Sequence, residues 1–498
     1  MTEKLVRFKE ILGEVSDLTH AAAVLEWDQN VGMPAGGAEA RGQQLSTLAK
    51  IAQEKSTSDE LGRLLEDLQK EYPDGESEES AMIRVASRNY EKARRVPAEF
   101  VAERARVTTK AFEAWVEAKK KSDFSVFQPH LEKIVELVGR YIAFFPPADH
   151  PYDIMLDDYE RGLKTAEVRS IFQDLRPKQV ELIRKIGSVR QVEDDFLHAK
   201  YNEQKLWKFG ERIIGRFGYD WNRGRQDKAP HPFETTFSVN DVRITNRFEA
   251  DHPMATLFSA MHESGHAMYE QGIHSSYERT PLEGGTSLAV HESQSRLWEN
   301  LVGRSMPFWE HFYPEFKKIF PAQLDCITLK SFYQAINKVE PSLIRVNADE
   351  ATYNLHVMLR LEIEISMVEG AVAVRDLPQI WNEKMREYLG IIPPNDAKGV
   401  LQDVHWSGGA IGYFSTYALG NLISAQWAQA IRKDIRDLDD QIRKGKFDDM
   451  LGWLREKIHV HGKRYEPQAL VQKVTGSKID AGPYMSYLED KFGEIYGL

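Results

Sequence analysis

The sequence predicts a mainly α-helical protein, one large unit spanning residues 1–498 that carries a single small β-hairpin. Three observations lead there. Apolar residues recur at helical period along most of the chain, as in LVRFKEILGEV near the start, VFQPHLEKIVELVGRYIAFF at 126–145 and LHVMLRLEIEISMVEGAV at 355–372. Leu, Ala, Glu, Lys and Arg dominate these stretches, as helices prefer. The breaks MPAGG (33–37), YPDGESEES (72–80), PPADHP (146–151) and IIPPND (391–396) are turn signals, too short and too mixed to link independent domains, and no internal repeat is visible.

Composition narrows the class. Apolar residues make up 42% of the 498 and charged residues 28%, which suits a soluble protein with a large core. A formal net charge of −11 argues against nucleic-acid binding. The single cysteine, Cys326, excludes an intramolecular disulfide and a thiolate zinc site, and fits a reducing, cytoplasmic setting. No run approaches about 18 uninterrupted apolar residues, so no membrane span is expected.

Taken in order, MTEKLVRFKEILGEVSDLTH reads as an amphipathic helix without the apolar stretch of a secretion signal, and Trp27 and Asp28 beyond it read as structural. The exception to helical period is FETTFSVNDVRITNRF, 233–248. A two-residue turn at Asn240–Asp241 would set Val239 against Val242, Phe237 against Ile244 and Phe233 against Phe248. The other face would pair Glu234 with Arg247, Ser238 with Arg243 and Thr236 with Thr245. Such an edge can bind an extended peptide. His231 precedes it, held extended by Pro232.

MHESGHAMYEQG, 261–272, comes next. Pro253 suits a helix start and Gly272 a stop, with Leu257, Phe258, Met261, Gly265 and Met268 as the inner stripe. His262 and His266 stand four apart, one turn along one face, where two imidazoles can share a tetrahedral zinc. Glu263 follows the first histidine, placed to take a proton from a metal-activated water. A third protein ligand is required. The extended form HExxHxxGxxH fails, because Tyr269 and Gly272 stand where glycine and histidine are needed. TSLAVHESQSRLWENLVG, read as a second helix over 287–303, offers Glu292. Glu270 is a rival set too far along the first helix and better suited to support a ligand than to be one. Glu299 also competes.

HESGH followed by HESQSR resembles the carboxypeptidase Taq family of metallocarboxypeptidases. The six short motifs of that family stand here in order: His231-Pro232-Phe233, Asp241-x-Arg243-x-Thr245, His262 to His266, His291-Glu292-Ser293-Gln294, Ile344-Arg345-x-x-Ala348-Asp349 and Gly399-x-x-Gln402-Asp403-x-His405-Trp406. EWDQNVGMPAGGAEAR and PYDIMLDDYERG are similar too, so the resemblance spans nearly the whole chain. It implies a helical fold with a long central groove, a small sheet beside the metal, a homodimer, and release of single C-terminal residues from peptides with broad preference. It maps His262, His266 and Glu292 to the ligands of one zinc per chain, with cobalt or manganese able to replace it, and Glu263 to the general base.

An enzyme of that kind must recognise a free carboxylate, and a guanidinium binds one through two hydrogen bonds. Arg345 follows the helix-start signal Glu340-Pro341-Ser342, and Asp349 one turn on is expected to orient it. Arg243 is the second candidate anchor, with Thr245 and His231 as neighbouring substrate-side candidates. His405 would donate to the scissile carbonyl or the product carboxylate, and Tyr413 or Tyr417 to the developing oxyanion. Two other functions remain. An oligopeptidase or endopeptidase would share the metal site and need no anchor; a non-catalytic helical binding protein would have no use for Glu263.

Overall fold

The structure, a computed structural model, describes residues 2–498 and is mainly helical, with one three-stranded sheet. It divides into two compact units. Among the described residues the first comprises 2–94, 193–336 and 427–476; the second comprises 95–192, 337–426 and 477–498. Among the described residues no helix is long and apolar enough to cross a membrane.

In the first unit the sheet contains β1 (Gln226–Lys228), β2 (Glu234–Ser238) and β3 (Asp241–Asn246), with β3 in the middle. β1 runs parallel to β3 and β2 antiparallel. β1 lies outside the predicted hairpin. The hairpin register also differs from the expected one: Glu234 pairs with Ile244, Thr235 with Arg243, Thr236 with Val242 and Ser238 with Asp241, with an irregularity between Thr236 and Ser238. The turn is therefore Val239–Asn240. Tertiary packing decides it. Val239 is buried in a core cluster with Leu5, Phe8, Tyr277 and Leu282, and the Glu278 carboxylate accepts from the Val239 amide at 3.1 Å. A bulge then absorbs the extra residue.

A helix, Pro253–Gly272, packs on β2 and β3. It is buried almost all round, including the expected stripe of Leu257, Phe258, Met261, Gly265 and Met268. Such a helix is not amphipathic, and its half-buried positions are few; His262 and His266 are two of them. A second helix, Leu288–Arg296, starts on Ser287, whose side chain accepts from the Val290 amide. It does not continue as α-helix to 303. Residues Leu297–Val302 form a π-helical turn, a form concentrated at functional sites.

In the second unit the helices Ala98–Lys121, Gln128–Ile142, Thr165–Gly187, Tyr353–Val368 and Leu377–Leu389 form the body. Tyr353–Val368 is its most enclosed member, burying charged Arg360 and Glu364 together with its apolar residues.

Candidate active site

The helix Pro253–Gly272 and the helix Leu288–Arg296 approach closely enough that a Cβ on Gly265 would stand 2.6 Å from the Ser295 Cα. Only glycine permits that approach. It brings the Nε2 atoms of His262 and His266 to 3.3 Å from each other, and the Glu292 Oε2 to 3.7 and 3.5 Å from them. Ligand bonds of about 2.0–2.2 Å at tetrahedral angles separate donor atoms by about 3.3–3.6 Å. The three groups thus fit a small divalent cation without rearrangement.

Their protonation agrees. Burial first of all pushes His266 down to about 3, so it is a neutral donor. Glu292, although burial opposes it, is held well below the usual carboxylate range by Arg296 and His262, so it is an anion. For His262 burial acts downward, but the carboxylates of Glu292 and Glu299 outweigh it and raise the imidazole. That surplus of negative charge is what a cation would neutralise.

The outer contacts fix both rings. The Nδ1 of His262 lies 2.9 Å from Glu299 Oε2, and Glu299 is itself held by Arg296 at 3.2 Å and by Arg304 at 3.7 Å. The Nδ1 of His266 faces the Nδ1 of His291, whose Nε2 lies 2.9 Å from Glu270 Oε1. Each metal-facing Nε2 is therefore backed by a partner on the other nitrogen, the usual way of orienting a ligand imidazole. Glu270 is buried and lies behind His291 rather than among the three donor atoms. Glu299 lies on the Nδ1 side of His262 rather than among the three donor atoms, and His291, for which the spacing suggests no role, stands behind His266. Glu263 is buried on the same helix, and burial pushes its carboxyl up to about 7, with His262 opposing. Glu234 is not the surface partner of Arg247. It is half-buried, takes a hydrogen bond from Thr236 at 2.6 Å and lies within electrostatic reach of His291 and Glu270.

The remaining hairpin candidates are committed elsewhere. Arg243 makes a two-point pair with Asp241, both contacts 2.8 Å, and lies between the rings of Trp27 and Phe237. Thr245 is fully buried and its hydroxyl accepts from the Phe233 amide at 2.9 Å. His231 is exposed, its ring beside the Pro232 carbonyl.

In the second unit, Arg345, Tyr353, Asp403, His405, Tyr413 and Tyr417 come together. Arg345 is buried in a single 3-10 turn, Arg345–Asn347. The expected Arg345–Asp349 pair does not form, because 345–349 is not a continuous helix. Asp349 instead accepts from the amides of Glu340, Ala351 and Thr352, capping the turn before the helix Tyr353–Val368, and burial pushes it up to about 6. The partner of Arg345 is Asp403, whose Oδ1 accepts from Nε at 3.1 Å and Nη2 at 2.9 Å, while Nη1 donates to the Tyr353 hydroxyl at 2.8 Å. A guanidinium has five N–H groups. These contacts use three and leave one on each terminal nitrogen. The Tyr417 ring lies 4.8 Å from the guanidinium carbon, and its hydroxyl is 3.3 Å from His405 Nε2. Tyr413 packs 5.3 Å from the His405 ring. The loop carrying both is pinned from below by the buried carboxylate of Glu364, which accepts from Trp406 at 2.8 Å, Tyr152 at 2.6 Å and the Gly412 amide at 2.9 Å. Burial pushes Glu364 up to about 7 against these donors.

Comparison with known proteins gives one consistent result. A family model described as carboxypeptidase Taq (M32) metallopeptidase matches residues 7–492. Thermostable carboxypeptidase 1 of Thermus thermophilus is 39% identical, covering 98% of both chains, and carboxypeptidase 1 of Bacillus subtilis is 36% identical with the same coverage. The crystal structure of an M32 carboxypeptidase from Deinococcus radiodurans superimposes over 100% of both chains with a TM-score of 0.97 at 40% identity.

Proposed function

The chain belongs to the carboxypeptidase Taq (M32) metallopeptidase family and is a metallocarboxypeptidase, and from that premise we propose how its residues divide the work. Zinc is the resident metal, one per chain, held by His262, His266 and Glu292, with cobalt or manganese able to take its place. When bound, the ion supplies Lewis acidity, lowering the pKa of a water and polarising the scissile carbonyl. Glu263 removes a proton from the attacking water and returns it to the leaving amine. His405 donates to the carbonyl or to the product carboxylate, with Tyr413 and Tyr417 as the neighbouring hydroxyl donors. Arg345 receives the terminal carboxylate on its two remaining N–H groups. Arg243, Thr245, His231 and Asp349 are the further substrate-side residues of the proposal, with Arg243, Thr245 and Asp349 held in place by their internal hydrogen bonds.

The substrates are peptides with a free C-terminus, released one residue at a time with broad preference. Residues 1–498 act as one catalytic unit, a reading supported by the family match over 7–492. The proposed location is the cytoplasm, which the lone cysteine supports, and the proposed assembly a homodimer, which rests on the resemblance alone.

The observation that carries the proposal is the set of three donor atoms at tetrahedral-edge distances beside Glu263. The test is a short unblocked peptide and its C-terminally amidated twin, incubated with the zinc-loaded protein and followed by mass spectrometry. Stepwise loss of single residues from the free peptide only is the expected result. Internal cuts in both peptides would replace the carboxypeptidase reading with an endopeptidase one.

A further inference from the structure

Arg360 stands in the middle of the helix Tyr353–Val368 and is fully buried. A buried guanidinium has to find acceptors for its N–H groups. Two of those acceptors are adjacent in sequence. Its Nε donates to Asp403 Oδ2 at 2.7 Å, and its Nη2 donates to Gln402 Oε1 at 2.8 Å. Its Nη1 donates to the His356 carbonyl, and the Trp381 ring lies 4.5 Å from its carbon.

The same two side chains serve Arg345. Gln402 Oε1 also accepts from the Arg345 backbone amide at 2.9 Å, and Asp403 offers Arg345 its other oxygen, Oδ1. Gln402 is anchored in turn by donating to the Leu343 carbonyl at 3.0 Å. Arg360 thus grips the backbone of Arg345 through one bridge and its guanidinium through another.

We propose that Arg360 is the positioning residue of the carboxylate anchor: by holding Asp403 Oδ2 and Gln402 Oε1 it fixes Asp403 Oδ1 against Nε and Nη2 of Arg345, and so keeps the two remaining N–H groups of Arg345 in one orientation for the peptide. The inference rests on the reading of Arg345 as that anchor. A guanidinium held at two points by a carboxylate has a fixed plane. Once Arg360 no longer holds them, Asp403 and Gln402 can turn away, and Arg345 loses the orientation in which it meets the peptide. The charges agree, since two guanidiniums against one carboxylate leave one positive charge for an arriving carboxylate to neutralise. His356 adds none, because burial pushes its imidazole well below the ordinary value. Lysine in place of Arg360 keeps the charge, but as a single point it cannot hold Gln402 and Asp403 together.

The experiment compares wild type, Arg345→Ala, Arg360→Lys and Asp403→Asn, all zinc-loaded and assayed well below their melting temperatures, on a free peptide and its amidated twin. Arg345→Ala is expected to raise KM on the free peptide and to collapse the preference for it. Arg360→Lys is expected to raise KM about tenfold or more with kcat changed far less, and to lower the free-to-amidated ratio in parallel. Asp403→Asn, isosteric but with a neutral amide in place of the carboxylate that both arginines share, covers the case in which Arg360→Lys does not fold; it is expected to lower the same ratio by loosening Arg345. A merely structural role would reduce the active fraction and kcat and leave the ratio alone. Should Arg345→Ala leave the ratio at its wild-type value, the anchor reading falls and the inference with it. Should Arg345→Ala collapse the ratio while the folded Arg360→Lys or Asp403→Asn protein keeps wild-type KM and ratio, the anchor stands and the positioning role is overturned.

Discussion

Glu263 and Glu299 illustrate how two carboxylates near one metal site differ in consequence. Replacing Glu263 by glutamine keeps volume and removes the proton acceptor. Metal content by mass spectrometry is expected to stay at one per chain while kcat falls about a hundred- to ten-thousand-fold; a kcat close to wild type would remove Glu263 from the mechanism. Glu299→Gln leaves the ligands intact and weakens the brace on His262. Metal affinity, read by chelator competition, is expected to drop about ten- to a hundredfold, and an unchanged affinity would show the brace to be dispensable. The contrast in legibility is physical. His262, Glu263 and His266 are local, so helical spacing alone places them. Arg345 and Asp403 are separated by 58 positions, Arg360 and Asp403 by 43. No periodicity joins such pairs, and the nearer Asp349 made the more plausible partner on spacing.

At the level of elements, the start of each metal-site helix was readable because Pro253 and the Ser287 cap are local signals. The π-helical turn at Leu297–Val302 and the hairpin register were not, since both depend on what packs against them. The crossing at Gly265 is the most exacting contact between elements. Gly265→Ala is expected to cost about 1–3 kcal/mol through overpacking and to weaken metal binding by separating Glu292 from the histidines. Thermal unfolding and metal titration check it, and a variant with wild-type values would mean the helices can part without harm. The helix Tyr353–Val368 carries a pH-dependent cost. Glu364 has a folded value of about 7 against an ordinary 4.5. A raised carboxyl favours the folded state most below its unfolded value, and that contribution is lost as pH rises through the folded one. Between pH 5 and pH 8 wild type should therefore lose up to roughly 3 kcal/mol relative to Glu364→Gln, at about 1.4 kcal/mol per pH unit. Denaturant unfolding at the two pH values measures this, and a constant difference between the proteins would contradict it.

For the whole molecule, metal binding and folding are linked, because the donors come from two helices that only the folded chain brings together. Chelation is expected to lower the melting temperature and zinc to restore it, by about 4 kcal/mol when free zinc is a thousand times its dissociation constant. An unchanged melting temperature would mean that the site is not loaded in the folded protein. The helical class and the small sheet were legible in the sequence; the division into two units was not. Each unit is assembled from three separated stretches of chain, so no linker marks the boundary. That interleaving has a consequence for how the protein can be made and dissected. Neither unit exists as a contiguous fragment, so neither can be expressed alone by truncation or exchanged between relatives by a single crossover. During synthesis each stays without part of its core until its last stretch emerges, 427–476 for one and 477–498 for the other. Synthesis must therefore pass residue 476 before the first unit can close and residue 498 before the second can.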